Sequence, residues 1–474
     1  MSAVAAAARA AAAHPRHVLL AAAVAGLLTG PVAPELASAA AALTGLALLR
    51  RPALALAATA AVLGGALVAD ARLHALDRTA LGPSLGRLVS IRADLLEAPR
   101  RGRSGSVSAR ARVTRGPGRG EQVVVRTTRP RFGAPTLWPA LAVGAGLAAR
   151  GRLVALRSAD DFQRRRGAHA VLLARSIRAT GVRRGGMEGA LDRARSRAEA
   201  WVASGLRPGE AALARGMVLG EDERLADPVR EDFRRSGLAH LLAASGQNVM
   251  LLAALALPLL AALGLGLRAR LTGALLLVAA YVPLAGAGPS IQRAGVMGAA
   301  GLLAALAGRP ASRAYALLLA AAVTLVLNPR AAGDPGWQLS FAAVVAILLL
   351  AGRIRDWLVA RRVPGAVADA GAITTSATLG TAPLLAFHFG RVSLASLPAN
   401  LLAAPAVAPI MWLGMIAAAL GQVAPALAMP VNAPASFLLA YLEWLAHAAA
   451  SAPAAAVELR LGSPVPDPRS SALG

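Results

Sequence analysis

The sequence predicts a polytopic α-helical membrane protein of about 3 + 8 spans, interrupted by a small inserted β-barrel domain. Three observations carry that prediction. Of the 474 residues, 56% are hydrophobic and only 16% charged, against roughly a quarter charged in an average soluble chain. Several apolar runs reach about 18 to 20 residues, the length that crosses a bilayer as a helix. Between residues 70 and 181 those runs disappear, and 22 arginines face seven acids.

Residues 1–70 hold three short apolar runs, Val18 to Leu28, Leu36 to Leu49 and Ala53 to Ala69, which read as three transmembrane helices. Arg9 and Arg16 give the start the charge of a secretory signal. Two more apolar helices follow at once and no cleavage site precedes a mature domain, so membrane helices are the reading adopted. Residues 71–181 form the basic insertion. There Val107, Ala109, Ala111 and Val113 alternate with Ser108, Arg110 and Arg112, the period of a half-buried strand. Val123 to Val125, Arg152 to Leu156 and Val171 to Ile177 read as further strands, separated by turns such as Gly116-Pro117-Gly118, and a five- or six-stranded barrel accommodates them.

Residues 182–235 are helical and charged, with Leu191, Trp201, Leu206, Leu213, Met217 and Leu225 spread among arginines and acids, as in surface or interfacial helices. Apolar runs resume over 236–451: Leu238 to Leu263, Leu271 to Ala285, Ile291 to Ala307, Ala314 to Leu327, Trp337 to Ala351, Ala366 to Phe387, Leu394 to Leu420 and Ser436 to Ala450. The run after Leu394 contains Pro398, Pro405 and Pro409, which predicts a broken helix. Residues 452–474 are Pro/Ser-rich and are expected to be a disordered tail.

Arginine placement orients these runs, because short loops rich in Lys/Arg stay cytoplasmic. With the N-terminus inside, Arg50 and Arg51 are also inside, and so are the loops with Arg268/Arg270, Arg309/Arg313 and Arg353/Arg355/Arg361/Arg362. The alternate loops near Gly286 to Ser290 and Asn328 to Gly336 carry almost no net positive charge. The basic domain then lies on the extracytoplasmic face. A reporter fused within residues 102–120 is expected to read extracytoplasmic and one within 353–362 cytoplasmic; the opposite pair overturns the topology.

All 50 basic residues are arginine, against 24 acids, for a net charge of +26. Base composition of the genome accounts for Arg over Lys, but not for a twofold excess of basic groups, which suits a polyanion or anionic lipid as partner. Without cysteine there is no disulfide, thiol chemistry or cysteine-ligated metal. No Walker lysine, HExxH motif or metal-ligand cluster occurs among the seven histidines; His14 and His17, three apart, sit in a ragged N-terminus. Neither enzymatic activity, nor a metal, nor a cofactor is expected.

Four stretches place polar residues where lipid would penalise them. In Ser236 to Val249, His240, Gln247 and Asn248 fall on one face if the segment is a continuous helix, as a wet path or as interhelical hydrogen-bond glue. In Gly288 to Ala294, Arg293 either snorkels to headgroups or meets phosphate. In Asn328 to Phe341, Asp334 is placed to cap the coming helix and Trp337 to anchor it. The last stretch has Thr374, Thr378 and Thr381 at helical spacing, more often packing than pore, then His388, Arg391 and Asn400.

These stretches resemble the signature of the competence protein ComEC family, the membrane channel for transforming DNA. The likeness runs in order through SGLAHLLAASG, GPSIQRAGVM, LNPRAAGDPGWQLSFAAV and HFGRVSLASLPANLLAAPAVAP, from Ser236 to Pro409. The insertion also resembles the family's OB-like domain at Asp160-Asp161-Phe162 through Arg166-Gly167-Ala168. Two features depart from the family. Many members carry histidine two residues after the Ser-Gly, where this chain has Asn248, so that imidazole's role does not transfer. Larger members end in a metallo-β-lactamase-like domain; no HxHxDH motif occurs here, so the chain reads as a short form, and strand degradation is expected from another polypeptide or not at all.

The resemblance implies a channel that translocates single-stranded DNA across the cytoplasmic membrane during natural transformation. Its path is expected at His240, Ser245, Gln247, Asn248, Arg293, Asp334, Gln338, His388 and Asn400. DNA contacts on the barrel are expected at Arg100, Arg101, Arg103, Arg164, Arg165 and Arg166. Implied partners are single-stranded DNA, the cell membrane, a DNA receptor, a cytoplasmic helicase-like ATPase and a second copy of the chain. Aromatic residues make up 3% of the chain, with little beyond Phe132, Trp138 and Phe162 in the insertion, so strand contact is expected to be electrostatic and salt-sensitive rather than by base stacking. The alternative is a non-transport scaffold whose barrel binds anionic lipid or cell-wall polymer. A small-solute transporter has only the broken helix in its favour.

Overall fold

Proline opens each of the first three helices, α1 (Pro15–Thr29), α2 (Pro34–Ala47) and α3 (Pro52–Asp77), at the position where its missing N–H costs nothing. The computed structural model describes residues 14–452, apart from 50, 102–105, 128–137, 139–140, 222–223, 243, 287, 311, 394 and some side chains, and also 456–458. Two compact units result, Met1–Arg197 with Ala321–Asp334 and Ala198–Ala320 with Pro335–Gly474.

In the first unit, α1 and α3 meet backbone to backbone. A Cβ added to Gly26 would lie 1.9 Å from the Val62 carbonyl oxygen, and one on Gly65 2.3 Å from that of Ala23. Gly26 and Gly30 form a G-x-x-x-G pair, the small-residue spacing that lets apolar helices approach closely.

A six-stranded mixed sheet follows: β1 (Leu88–Leu95), β2 (Arg100–Arg101), β3 (Val107–Arg115), β4 (Gln122–Thr127), β5 (Ala145–Ala155) and β6 (Ala168–Arg183), in the order β1-β5-β6-β4-β3-β2. β4 and β6 run parallel and the other pairs antiparallel, and β1 also pairs with β3. The alternation read in β3 is real: Val107, Ala109, Ala111 and Val113 are buried with Leu95, Val123, Val125, Leu147 and Leu172. Gly151 sits at a register shift between β5 and β6, where a Cβ would meet the Leu173 carbonyl oxygen at 2.1 Å. Between β5 and β6 lies the short α4 (Asp161–Arg165), and after the sheet comes α5 (Gly186–Val202).

The second unit contains α6 (Pro208–Leu219), α7 (Asp227–Arg235), α8 (Gly246–Ala262), α9 (Leu267–Leu284) and α10 (Pro289–Leu306). After α11 (Arg313–Leu327) come α12 (Pro335–Ala360), α13 (Gly365–Phe389), α14 (Ser396–Leu420) and α15 (Ala428–Ser451). Of the helices expected to span, α3, α9, α12, α13, α14 and α15 are long and apolar enough to cross a membrane. The other five, α1, α2, α8, α10 and α11, have 14 to 18 residues. At about 1.5 Å per residue the 14- and 15-residue helices α1, α2 and α11 fall short of a roughly 30 Å hydrocarbon core, while α8 and α10, at 17 and 18 residues, come close to α9, which has 18.

Four expectations change. α6 is no surface helix: Ala211 to Ala214 and Gly216 to Leu219 are buried in the helical core, because averaging over 182–235 hid one apolar segment among charged ones. α14 continues through Pro405 and Pro409 as one helix, with Ala403, Ala406, Val407 and Ile410 packed in the core. His240 and Asn248 share no helix, since a 3-10 turn at Ala239–Leu242 ends before α8 begins at Gly246. Within the expected disordered tail, β8 (Ala456–Glu458) pairs antiparallel with β7 (Arg391–Ser393).

Candidate functional site

Arg293 lies in the second turn of α10, and burial leaves it only 6% exposed. Its Nη1 donates to the Ser340 carbonyl in α12, and its guanidinium carbon stands 5.7 Å from the centre of the Phe341 ring. Its Nε is buried without a partner, and no carboxylate among the described residues stands close enough to pair with it. The first residue of α8 packs beside it, since a Cβ on Gly246 would lie 2.9 Å from Arg293 Nη2. Ser290 and Ser340 hydroxyls are 3.0 Å apart, and His388 Nε2 at the end of α13 is 2.7 Å from Gln338 Oε1. The opening turns of α8, α10 and α12 thus converge, each presenting the positive end of a helix dipole. Three of the four motif stretches meet here directly, and the fourth joins through His388.

Asn248 belongs to a different construction. Its Nδ2 donates to the Met217 carbonyl at 2.8 Å and to Tyr281 Oη at 3.1 Å, while Tyr281 Oη donates to the Val218 carbonyl. Met217 and Val218 end α6, where the last four carbonyls have no partner inside the helix. Asn248 and Tyr281 supply those partners from α8 and α9. Ser245 Oγ in turn donates to Asn248 Oδ1 at 3.3 Å, so Ser245 holds the N-cap position of α8 without making a capping bond. Tyr281 carries no motif; its only sequence signal is being one of three tyrosines, set in an apolar run.

The remaining expected path residues separate. Gln247 is exposed beside buried Asn248, and His240 is exposed with Nδ1 3.2 Å from the Gly237 carbonyl. Asn400 bonds within its own helix, to the Ser396 carbonyl at 2.7 Å. Gly237 has φ +79° and meets Ser396, where a Cβ would come within 2.6 Å, so the first and fourth stretches touch at a position that only glycine fills. Thr381 Oγ1 returns its bond to the Ala377 carbonyl at 2.8 Å, the packing role expected of it.

In the first unit, buried Asp334 directly precedes α12, and its charge supports Arg166. The arginine clusters are unequal there. Arg100 is exposed in β2; the side chain of Arg101 and the whole of Arg103 lie outside the described residues. Arg164 is exposed, 3.9 Å from Asp161. Arg165 is half-buried with an unpartnered Nε, while its carbonyl accepts from Asn328 Nδ2 at 2.6 Å. Arg166 turns inward to Glu97 Oε2 at 3.0 Å and stands 5.3 Å over the Phe162 ring. Arg110, placed on the solvent side by the alternation, is buried against the same carboxylate at 3.3 Å. Burial alone would raise the Glu97 carboxyl, but Arg110, Arg166 and Arg100 together hold it below its ordinary value. Burial, followed by the charge of Arg110, brings Arg166 down to about 10. Arg110 and Arg166 therefore serve the insertion's own structure.

Residues 217–466, or 250 of the 474, match the sequence model of a family described as competence protein. ComE operon protein 3 of Bacillus subtilis (strain 168) is 30% identical over 200 residues, which cover 42% of this chain and 25% of that relative. The match therefore spans a quarter of the relative's length. No solved structure matches. The family segment opens at Met217, whose carbonyl Asn248 holds, and contains Gly246, Arg293, Ser340 and His388. With more than half of its length inside that segment, this chain belongs to the competence protein family.

Proposed function

We propose that the chain acts in DNA uptake as a multi-pass channel of the cell membrane, passing single-stranded DNA through its helical unit. The observation that carries the reading is Arg293, a buried guanidinium with no counter-ion among the described residues, set among the opening turns of three helices. A polyanion crossing a membrane needs cationic and polar groups that replace its hydration without holding it tightly. The arginine alternation supports an extracytoplasmic basic domain. In its mixed sheet β1 pairs with both β5 and β3, which supports the OB-like likeness read at Asp160 to Ala168. Exposed Arg100 and Arg164 offer phosphate contacts there. No Walker motif occurs in the sequence; in this reading a cytoplasmic helicase-like ATPase supplies the energy, and a DNA receptor delivers the strand.

A deletion strain tests it. Radiolabelled DNA should still bind the cell surface but fail to become nuclease-resistant, and the intact gene should restore protection. Normal entry of protected DNA in the deletion strain refutes the channel.

A further inference from the structure

We propose that the N-terminus of α8 and the guanidinium of Arg293 together form a binding site for a phosphate oxyanion. α8 has 17 residues; its Asn248 N–H donates to the Ser245 carbonyl at 3.2 Å, while the amides of Gly246 and Gln247 precede any acceptor within the helix. Serine at an N-cap ordinarily accepts a bond from one of them. Here Ser245 does not: its hydroxyl donates to Asn248 Oδ1, and Asn248 is fixed by Met217 and Tyr281. The network that finishes α6 thus leaves the start of α8 uncapped.

Arg293 is the second, independent observation. It is nine-tenths buried, and among the described residues its Nε has no acceptor and its one hydrogen bond goes to a neutral carbonyl. A buried cation without a carboxylate carries a desolvation penalty that an entering anion relieves. Gly246 lets the two come together, since a Cβ there would stand 2.9 Å from Nη2 and push the guanidinium aside. Helix amides and a guanidinium are the two groups best matched to phosphate oxygens. Gln247, at the second position of α8, is exposed on that turn.

The natural ligand follows from the channel reading, on which this part of the inference rests: a phosphodiester of the strand in transit. A phospholipid headgroup offers the same oxygens. The site itself is independent of which one arrives.

Thermal unfolding of the full chain in detergent tests the site, with inorganic phosphate exchanged for chloride at constant ionic strength. Phosphate should raise the midpoint of the wild type by about 3 °C, and should leave Arg293→Gln unmoved, while the exposed control Arg268→Gln responds like wild type. Ser245→Asp builds an acceptor into the cap position, so it should melt higher than wild type without phosphate and ignore added phosphate. No wild-type shift, or an equal shift in Arg293→Gln or Ser245→Asp, overturns the site. Oligothymidylate reproducing the shift in wild type but not in Arg293→Gln assigns the strand as ligand. Phosphatidylglycerol micelles doing so where oligothymidylate does not would keep the site and overturn the strand as its ligand.

Discussion

Replacing Arg293 with methionine should lower transformation about tenfold to a hundredfold while the amount of protein in the membrane stays near normal. The size follows from losing one charge-assisted contact to phosphate, worth about 1.5 to 3 kcal/mol, at about 1.4 kcal/mol for each factor of ten. Abundance should hold because the side chain contributes little to folding: one bond to the Ser340 carbonyl and contact with Phe341, against a buried Nε left unsatisfied. Methionine fills most of the same volume beside Gly246 and removes the desolvation cost of the cation. Transformation frequency measured beside membrane abundance reads both quantities. Normal transformation would remove Arg293 from the transport path, and loss of protein in step with activity would make it a packing residue.

Asn248→Ala should do the reverse. It strips the Met217 carbonyl and Tyr281 Oη of their donor and leaves Ser245 without its acceptor. Each buried group so orphaned costs about 1 to 3 kcal/mol, and the loss falls in the core where α6, α8 and α9 meet. A marginally stable protein loses several-fold in folded amount at that cost. Membrane abundance and melting temperature should therefore fall, and transformation per molecule should remain within about threefold of wild type. A normal amount of protein with transformation abolished would return Asn248 to the strand's path. Gln247 and Asn248, adjacent in sequence, thus take separate roles because only one of them faces the end of α6.

What the sequence by itself determined is everything set by local pattern. Eight apolar runs after residue 236 became α8 to α15, because burying or lipid-facing apolar stretches satisfy their backbone within the helix. The alternation at Val107 to Val113 became β3, since successive side chains on a strand face opposite ways. The motif order from Ser236 to Pro409 carried the family. What only the tertiary structure decided are the partners of polar groups. Arg110 sits on the polar side of its alternation, yet Glu97 from beyond β1 draws it into burial. β1 itself, Leu88–Leu95, was not read from the sequence; its Ser90, Arg92 and Asp94 face outward between buried Ile91, Ala93 and Leu95, and their charge masked the alternation. Gly26 and Gly30 look like a flexible pair until α3 lies against them. Arg293 reads equally as a headgroup anchor or a phosphate contact from its place in the chain. Its burial against Gly246 and Ser340, residues 47 positions away on each side in sequence, appears only in the fold, because burial and hydrogen-bond partnership are properties of neighbours that the chain brings together only when folded.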